Sequence, residues 1–220
     1  MPRGPSGQGK KGSKVSRERI LRAALVEFAR HGFEGATTAA VARMVGVTQP
    51  LIHYHFGSKD ALWRAVVDAA FDPLMQVVAA LPQDPYSDGD PRENLKKSLR
   101  MVLEFSATHP ELSRLVLAEA VVPGPRLEWM AARYLKPLAQ RLESGLDEGR
   151  KEGYFRDLPH LGPVLVCFGA LPHLFDGGPL VTMFAGVDPS SPEDRKRFTD
   201  TLVEVFVAGL LSTPSKRKQA

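Results

Sequence analysis

The stretch "TQPLIHYHFGSKDAL", Thr48 to Leu62, gathers an amide, two imidazoles, a phenol and an ammonium group into one short run. Such groups form hydrogen bonds with base edges and phosphates. Gln49 can pair bidentately with an adenine edge, Leu51 can touch a thymine methyl, and His53, Tyr54 and His55 are long enough to reach bases or phosphates. Lys59 is free to meet a phosphate backbone. The crowded rings divide by face: Ile52 and Phe56 turn inward to grip neighbouring helices, while the remainder point outward.

Bond-making chemistry finds less support. No Ser or Cys sits in a nucleophile-elbow sequence, and His109, His160 and His173 lack paired ligand spacing with Cys or carboxylates, so neither an enzyme nor a metal or other cofactor is expected. Glu143, Asp147, Glu148 and Glu152 recur along one helix, but Arg141, Arg150 and Lys151 interleave with them and make a solvated face. "GPSGQGKK" nearly matches a phosphate-cradling loop, yet Lys11 stands where a Ser or Thr must hold magnesium, and no strand precedes it. The single Cys167 cannot form an internal disulfide, which agrees with a reducing compartment.

The outward face needs a scaffold, and the flanking residues spell one. From Ser16, Ile20, Leu21, Ala24, Leu25 and Phe28 recur at helical steps, and Gly32-Phe33 reads as a left-handed stop with its apolar lock. Thr37 or Thr38 can cap a short second helix with Val41, Ala42 and Val45 inside and Gly46 at its end. Thr48 caps a third, in which Pro50 fits the first turn. Ser58 caps a fourth, kinked by Pro73 and ended by Pro82, with Leu62, Trp63, Val66, Val67 and Ala70 packed beneath the module. Two short helices joined by a tight Gly-bearing turn are the helix-turn-helix arrangement.

Charge points the same way. Residues 1–64 hold 11 Lys and Arg against 4 Asp and Glu, whereas residues 65–220 hold 18 against 21. The first part attracts polyanions and the rest repels them. Residues 1–15 form a flexible basic arm, and residues 213–220 a frayed basic tail. No apolar run reaches the ~18 to 20 residues of a membrane span, and no signal peptide opens the chain, so the expected location is cytoplasmic.

"GFEGATTAAVARMVGVTQPLIHYHFGSKDALW" resembles the DNA-binding domain of the tetracycline-repressor (TetR) family over roughly residues 16–70. The likeness rests on ordered parts: Gly32-Phe33, the Thr pair, Gly46-Val47-Thr48, the ring cluster, then Ser58-Lys59 with Leu62. It implies that Thr38 and Lys59 hold phosphates and that Gln49, Pro50, Leu51, His53 and His55 line the groove. The DNA-facing set is thus Thr37, Thr38, Thr48, Gln49, Pro50, Leu51, His53, Tyr54, His55 and Lys59. In two places the chain departs from the family pattern. His53 replaces a Tyr that commonly bonds a phosphate, and Ala39 lacks a long polar side chain, which leaves base reading to the third helix.

Residues 71–212 read as helices alone, at about 91–108, 111–121, 125–150, 161–175 and 192–212, between Pro- and Gly-rich breaks. The expected fold is all-α, about nine helices, with a three-helix helix-turn-helix domain (16–70) joined to a larger helical bundle (71–212) for effector binding and dimerisation. "LGPVLVCFGALPHLF" and the last helix carry more apolar surface than one small bundle needs, including Val164, Phe168, Leu171, Phe175, Phe198, Leu202, Val205 and Phe206. They are either core or, as the resemblance implies, a four-helix interface of a homodimer on a palindromic DNA operator. The resemblance further implies a repressor released by a small-molecule effector in the body. Phe105, Trp129, Met130, Tyr134, Phe168, His173 and Phe175 are candidate linings, with Glu119 or Arg133 as polar anchors. The alternative is a ligand-independent DNA-binding or architectural protein.

Overall fold

The computed structural model describes residues 16–81, 90–175, 178–188 and 191–212, with the backbone alone for 171–175, 178 and 179. The expected arm, the expected tail and Pro82 lie outside the described residues. Within them the chain is helical with no strands, and its order is α1 (Arg17–Gly35), α2 (Thr38–Val45), α3 (Gln49–Phe56), α4 (Lys59–Ala79), α5 (Pro91–Thr108), α6 (Pro110–Ala120), α7 (Pro125–Met130), a π-helical turn (Ala131–Leu135), α8 (Lys136–Lys151), α9 (Gly162–Phe175), α10 (Gly178–Ala185) and α11 (Pro192–Leu210). The backbone stays right-handed helical through both junctions of the π turn, so α7 to α8 is the one run expected over 125–150. Helix α10 is one more than expected, because Gly178 and Pro179 read as a break although they open a helix.

Caps fix the boundaries. The hydroxyls of Ser16, Thr37 and Ser58 accept from the backbone N–H groups of Arg19, Ala40 and Ala61 at 3.4, 3.1 and 3.0 Å. Thr37 rather than Thr38 therefore caps α2. Thr48 precedes α3, but its hydroxyl makes no capping bond. The reason is local: Pro50 has no N–H to offer, and the N–H of Leu51 already bonds the Thr48 carbonyl at 3.1 Å. Gly46 (φ 74°, ψ 35°) ends α2 in the left-handed region, where the N–H of Val47 reaches back to the Ala42 carbonyl at 2.9 Å. Gly32 (φ 65°) breaks the regular winding of α1, which resumes for one turn to Gly35. Helix α4 continues through Pro73 to Ala79.

One apolar core runs from the first helices into the body, joining Ile20, Phe28, Val41, Ile52, Leu62, Trp63, Val66 and Phe71 to Leu115, Met130, Tyr134 and Leu138. Helix α1 packs on α2, α4 and α6, and α5 packs on α11. Smaller clusters hold α11 to α5 through Leu103, Val203 and Val207, and to α8 and α9 through Leu146, Val164 and Leu210. The row expected to be a solvated face is corrected at Glu143, which is only 2% exposed and meets Arg150 Nη1 at 2.8 Å. Residues 153–156 fold back on the end of α8, where the N–H groups of Tyr154 and Phe155 bond the Gly149 carbonyl, and His160 Nδ1 lies 3.4 Å from Glu143, a contact distant in sequence that periodicity cannot reveal.

Gly46→Ala places a side chain at a left-handed position and is expected to cost about 1 to 2 kcal/mol in denaturant-monitored stability. An unchanged midpoint would show that the turn between α2 and α3 does not depend on that conformation.

Candidate nucleic-acid interface

The α2–turn–α3 unit is held from below and open above. Ile52 is 1% exposed, Phe56 packs half-buried on the same core, and Arg17 lies 5.2 Å over the Phe56 ring. On the other side Thr48, Gln49, Pro50, His53, Tyr54 and His55 are exposed, Tyr54 by 82%, and Leu51 is half-exposed. The rings therefore divide as their spacing requires.

Thr38 and Gln49 meet each other. Gln49 Nε2 donates to Thr38 Oγ1 at 3.0 Å, and Thr38 is only 8% exposed. The bond ties the start of α2 to the start of α3. It still leaves the Gln49 carbonyl and one amide N–H for an adenine edge. Thr37 stays exposed, with its N–H bonded to Glu27 Oε1 at 3.2 Å. His53 Nδ1 lies 3.2 Å from the Gly57 carbonyl. Since a carbonyl only accepts, Nδ1 must carry the proton there, and a neutral ring then presents a bare Nε2. A bare nitrogen accepts and does not donate, so in this tautomer Nε2 suits a donor on a base edge rather than a phosphate oxygen.

Lys59 is held by its neighbours. Its Nζ donates to the Glu34 carbonyl at 3.3 Å and lies 4.6 Å from the Phe33 ring centre. Arg126, opening α7, lies 3.8 Å over the same ring and bonds Glu34 at 3.4 Å and the buried Glu119 at 3.1 Å. Nothing in the local sequence marks Arg126, because its ion-pair partner Glu34 is 92 residues away. Arg17 and Arg43, both exposed on the first two helices, were also outside the sequence-derived set and add to the basic field.

Three of the effector candidates, Trp129, Met130 and Tyr134, occupy the seam between the first four helices and the body. Trp129 packs on Trp63 at 5.7 Å and lies under Arg64, and Met130 is fully buried. Tyr134 stacks on Phe71 at 4.4 Å and donates to Asp68 at 2.5 Å, with Arg133 on the same carboxylate at 2.9 Å. Burial, then the bond to Asp68, pushes the Tyr134 hydroxyl above its usual range. Phe105 stacks on His109 at 4.1 Å, Glu119 is paired with Arg126, and Phe168 is half-buried between clusters. The side chains of Leu171, His173 and Phe175 lie outside the described residues.

A separate cavity of about 100 Å³ opens between the end of α4 and helices α5, α8, α9 and α11. Leu81, Leu99, Arg141, Gly145, Cys167 and Phe206 are among its walls, and none of the described effector candidates is. Burial raises the Cys167 thiol to about 11. Glu143, Asp147 and His160 bring ligand atoms within 4.8 Å of one another, but Arg150 Nη1 lies 2.8 Å from Glu143 and 2.5 Å from Asp147 and supplies their counter-charge. Of the expected interface, Val164 is buried within the chain, Phe168, Phe198, Leu202 and Phe206 are half-buried, and Val205 is 67% exposed.

Comparison with known proteins gives this geometry its context. The model of the N-terminal domain of bacterial regulatory proteins of the tetR family matches residues 20–66, and that of a tetracyclin repressor-like C-terminal domain matches residues 91–206. The chain belongs to the TetR family. It is 28% identical over 199 residues to the HTH-type transcriptional regulator RutR of Escherichia coli (strain K12), covering 90% of this chain and 91% of that one. It is 26% identical over 146 residues to the HTH-type transcriptional repressor NicS of Pseudomonas putida, covering 64% and 66%. The crystal structure of a TetR family transcription regulator from Marinobacter aquaeolei VT8 shares the fold, with TM-score 0.64, 18% identity and coverage of 90% and 96%. TetR-family chains are DNA-binding helix-turn-helix transcription regulators and not enzymes, and α2 and α3 are that motif here. No described helix is long and apolar enough to cross a membrane.

Gln49→Ala is expected to relax base preference by about 1 to 3 kcal/mol, while Lys59→Ala weakens all duplexes alike and flattens the salt dependence. Competition titrations on selected and random duplexes separate the two. Equal losses on both for Gln49→Ala would remove its base-reading role.

Proposed function

We propose that this regulator is a repressor that binds a palindromic operator as a homodimer and is released when a small molecule fills the cavity at the end of α4. The exposed outer face of α3, from Gln49 to His55, opposite the buried Ile52, is the observation that carries the DNA-reading part. Two such faces related by a two-fold axis enter successive major grooves ~34 to 36 Å apart, which makes the operator roughly palindromic.

The dimer reading draws on the surface of α9 and α11. Leu165 and Val166 on α9 are each 66% exposed, as is Val205 on α11 at 67%. Solvated apolar side chains on two neighbouring helices leave a face that a second copy buries, with half-buried Leu202 and Phe206 beside it. Leu171 and Phe175, whose side chains lie outside the described residues, are part of the same proposed interface.

The effector reading draws on the cavity. An engineered apolar cavity of ~150 Å³ accepts benzene, so about 100 Å³ suits a smaller molecule of roughly four heavy atoms. Its walls are almost wholly apolar, with Arg141 as the one charged member, which favours a compact apolar body bearing one acceptor. The walls also include Leu81, just beyond α4, the helix whose opposite end carries Lys59. A ligand there acts on the helix that carries the proposed Lys59 contact.

Selection of duplexes from a random pool is expected to return an inverted repeat bound by two chains, with mass measured in solution. Recovery of a half-site bound by one chain would sink the dimer reading. Gly145→Leu fills the cavity and is expected to abolish release by any metabolite that thermally stabilises the parent protein, while operator affinity stays within about twofold. A thiol held near 11 makes native Cys167 on the order of a hundredfold slower to alkylate at pH 8 than the unfolded chain, and bound ligand slows it further. Stabilisation by a metabolite with neither DNA release nor Cys167 protection would favour the ligand-independent alternative.

A further inference from the structure

We propose that Arg126, a residue of the body, is the positioning residue for the phosphate contact of Lys59 and so makes DNA affinity depend on how the body is seated. The inference rests on the reading that Lys59 meets a phosphate. Three contacts carry it. Arg126 Cζ lies 3.8 Å from the centre of the Phe33 ring, its Nη2 is 3.4 Å from Glu34 Oε1, and its Nε is 3.1 Å from Glu119 Oε2. Lys59 rests on the same two residues, with its Nζ 4.6 Å from the Phe33 ring centre and 3.3 Å from the Glu34 carbonyl oxygen. Residues 33 and 34 are thus gripped from one element by Arg126 and from another by Lys59.

The anchor and the free end differ in kind. The Glu119 side chain is 7% exposed and fixed on α6, whereas the Glu34 side chain is 85% exposed at the rim. A guanidinium with five donors in a rigid fork can bridge the two carboxylates, and its plane can also lie on a ring. An ammonium on a flexible stem cannot place itself and loses considerable rotamer freedom when fixed. Gly32, at φ 65°, lets the chain leave the regular winding of α1 just before Phe33, so the segment relies on contacts from outside its own helix. Arg126 supplies the one ion pair from the body to that segment among the described residues. Lys59 is pre-placed as long as this grip holds, and a shift of the α6–α7 corner relaxes it.

Binding of the full-length protein to the duplex returned by random-pool selection, measured between 50 and 200 mM salt, decides the matter. Four proteins are compared: the parent, Lys59→Ala, the pair Arg126→Met with Glu119→Gln, and all three changes together. The pair leaves no unpaired buried carboxylate, and circular dichroism verifies its fold. The expected result is a loss of about threefold to tenfold for the pair, a fall in the salt exponent of about 0.9 for each chain bound as its Lys59 phosphate contact goes, and no further loss when Lys59→Ala is added. Arg126→Lys keeps the charge without the fork and is expected to shift the exponent in the same direction by less, which tests the idea even where the pair does not fold. A pair that melts lower but keeps the parent exponent has only a structural role and overturns the proposal. Additive losses overturn it too, because Arg126 then touches DNA itself. An unchanged exponent in Lys59→Ala alone removes the phosphate reading beneath it.

Discussion

An eight-residue helix does not hold its shape in water by hydrogen bonding alone, so α3 depends on the buried seam where α1 and α4 meet the α6–α7 corner. Trp63 is the hub of that seam. It is fully buried, takes the edge of Phe33 at 6.3 Å on one side and packs Trp129 at 5.7 Å on another. Ile52 belongs to the same cluster, and it is the only fully buried side chain of α3. Loosening the seam would therefore disturb the seating of α3 together with the core. The continuity of the core from Ile20 to Leu138 makes the first four helices and the body one mechanical unit, although their charge and composition differ.

Local chemistry was legible in the sequence wherever a few neighbouring residues decide the outcome. Ser16, Thr37, Gly46 and Ser58 set helix ends because each cap or left-handed turn is closed within three or four residues. The division of α3 into a gripping and an open face was legible for the same reason, since helical period alone fixes it. Thr48 shows where the rule fails: a capping residue needs an N–H two or three places on, and Pro50 removes one while the Thr48 carbonyl takes the other. Helix α10 was missed because Gly and Pro mark both loops and the first turn of a helix.

Tertiary pairings were not legible. Trp129, Met130 and Tyr134 have the residue types of a ligand wall, yet they fill the seam, because an aromatic side chain signals burial without saying against what. Glu143 lay among charges at solvent spacing, yet it is buried, and it meets His160 from beyond the end of α8. Arg126 and Glu34 are 92 positions apart, and Tyr134 and Asp68 are 66. No window along the chain contains both members of either pair.

Helix α4 links the two ends of the proposed mechanism by its length. Twenty-one residues at 1.5 Å each span about 30 Å, from Lys59 beside α3 to the turn at Leu81 beside the cavity. The Leu81 carbonyl accepts from Arg141 Nη2 at 3.3 Å, so the guanidinium that an acceptor-bearing ligand would seek also holds the far end of the rod. On the proposed reading, ligand and carbonyl compete for that donor, and a ligand that wins favours a different seating of α4. Such a ligand shifts the population only by its difference in affinity between the two seatings: moving the equilibrium from 1:99 to 99:1 needs about 5.5 kcal/mol, more than one exchanged hydrogen bond supplies. The remainder has to come from the apolar walls, where filling about 100 Å³ in one seating and not the other is worth on the order of 2 kcal/mol at ~24 cal/mol per Å³. Bond and cavity together fall short of a full switch in one chain. On the proposed reading, two chains bound to one operator would double the differential and close that gap.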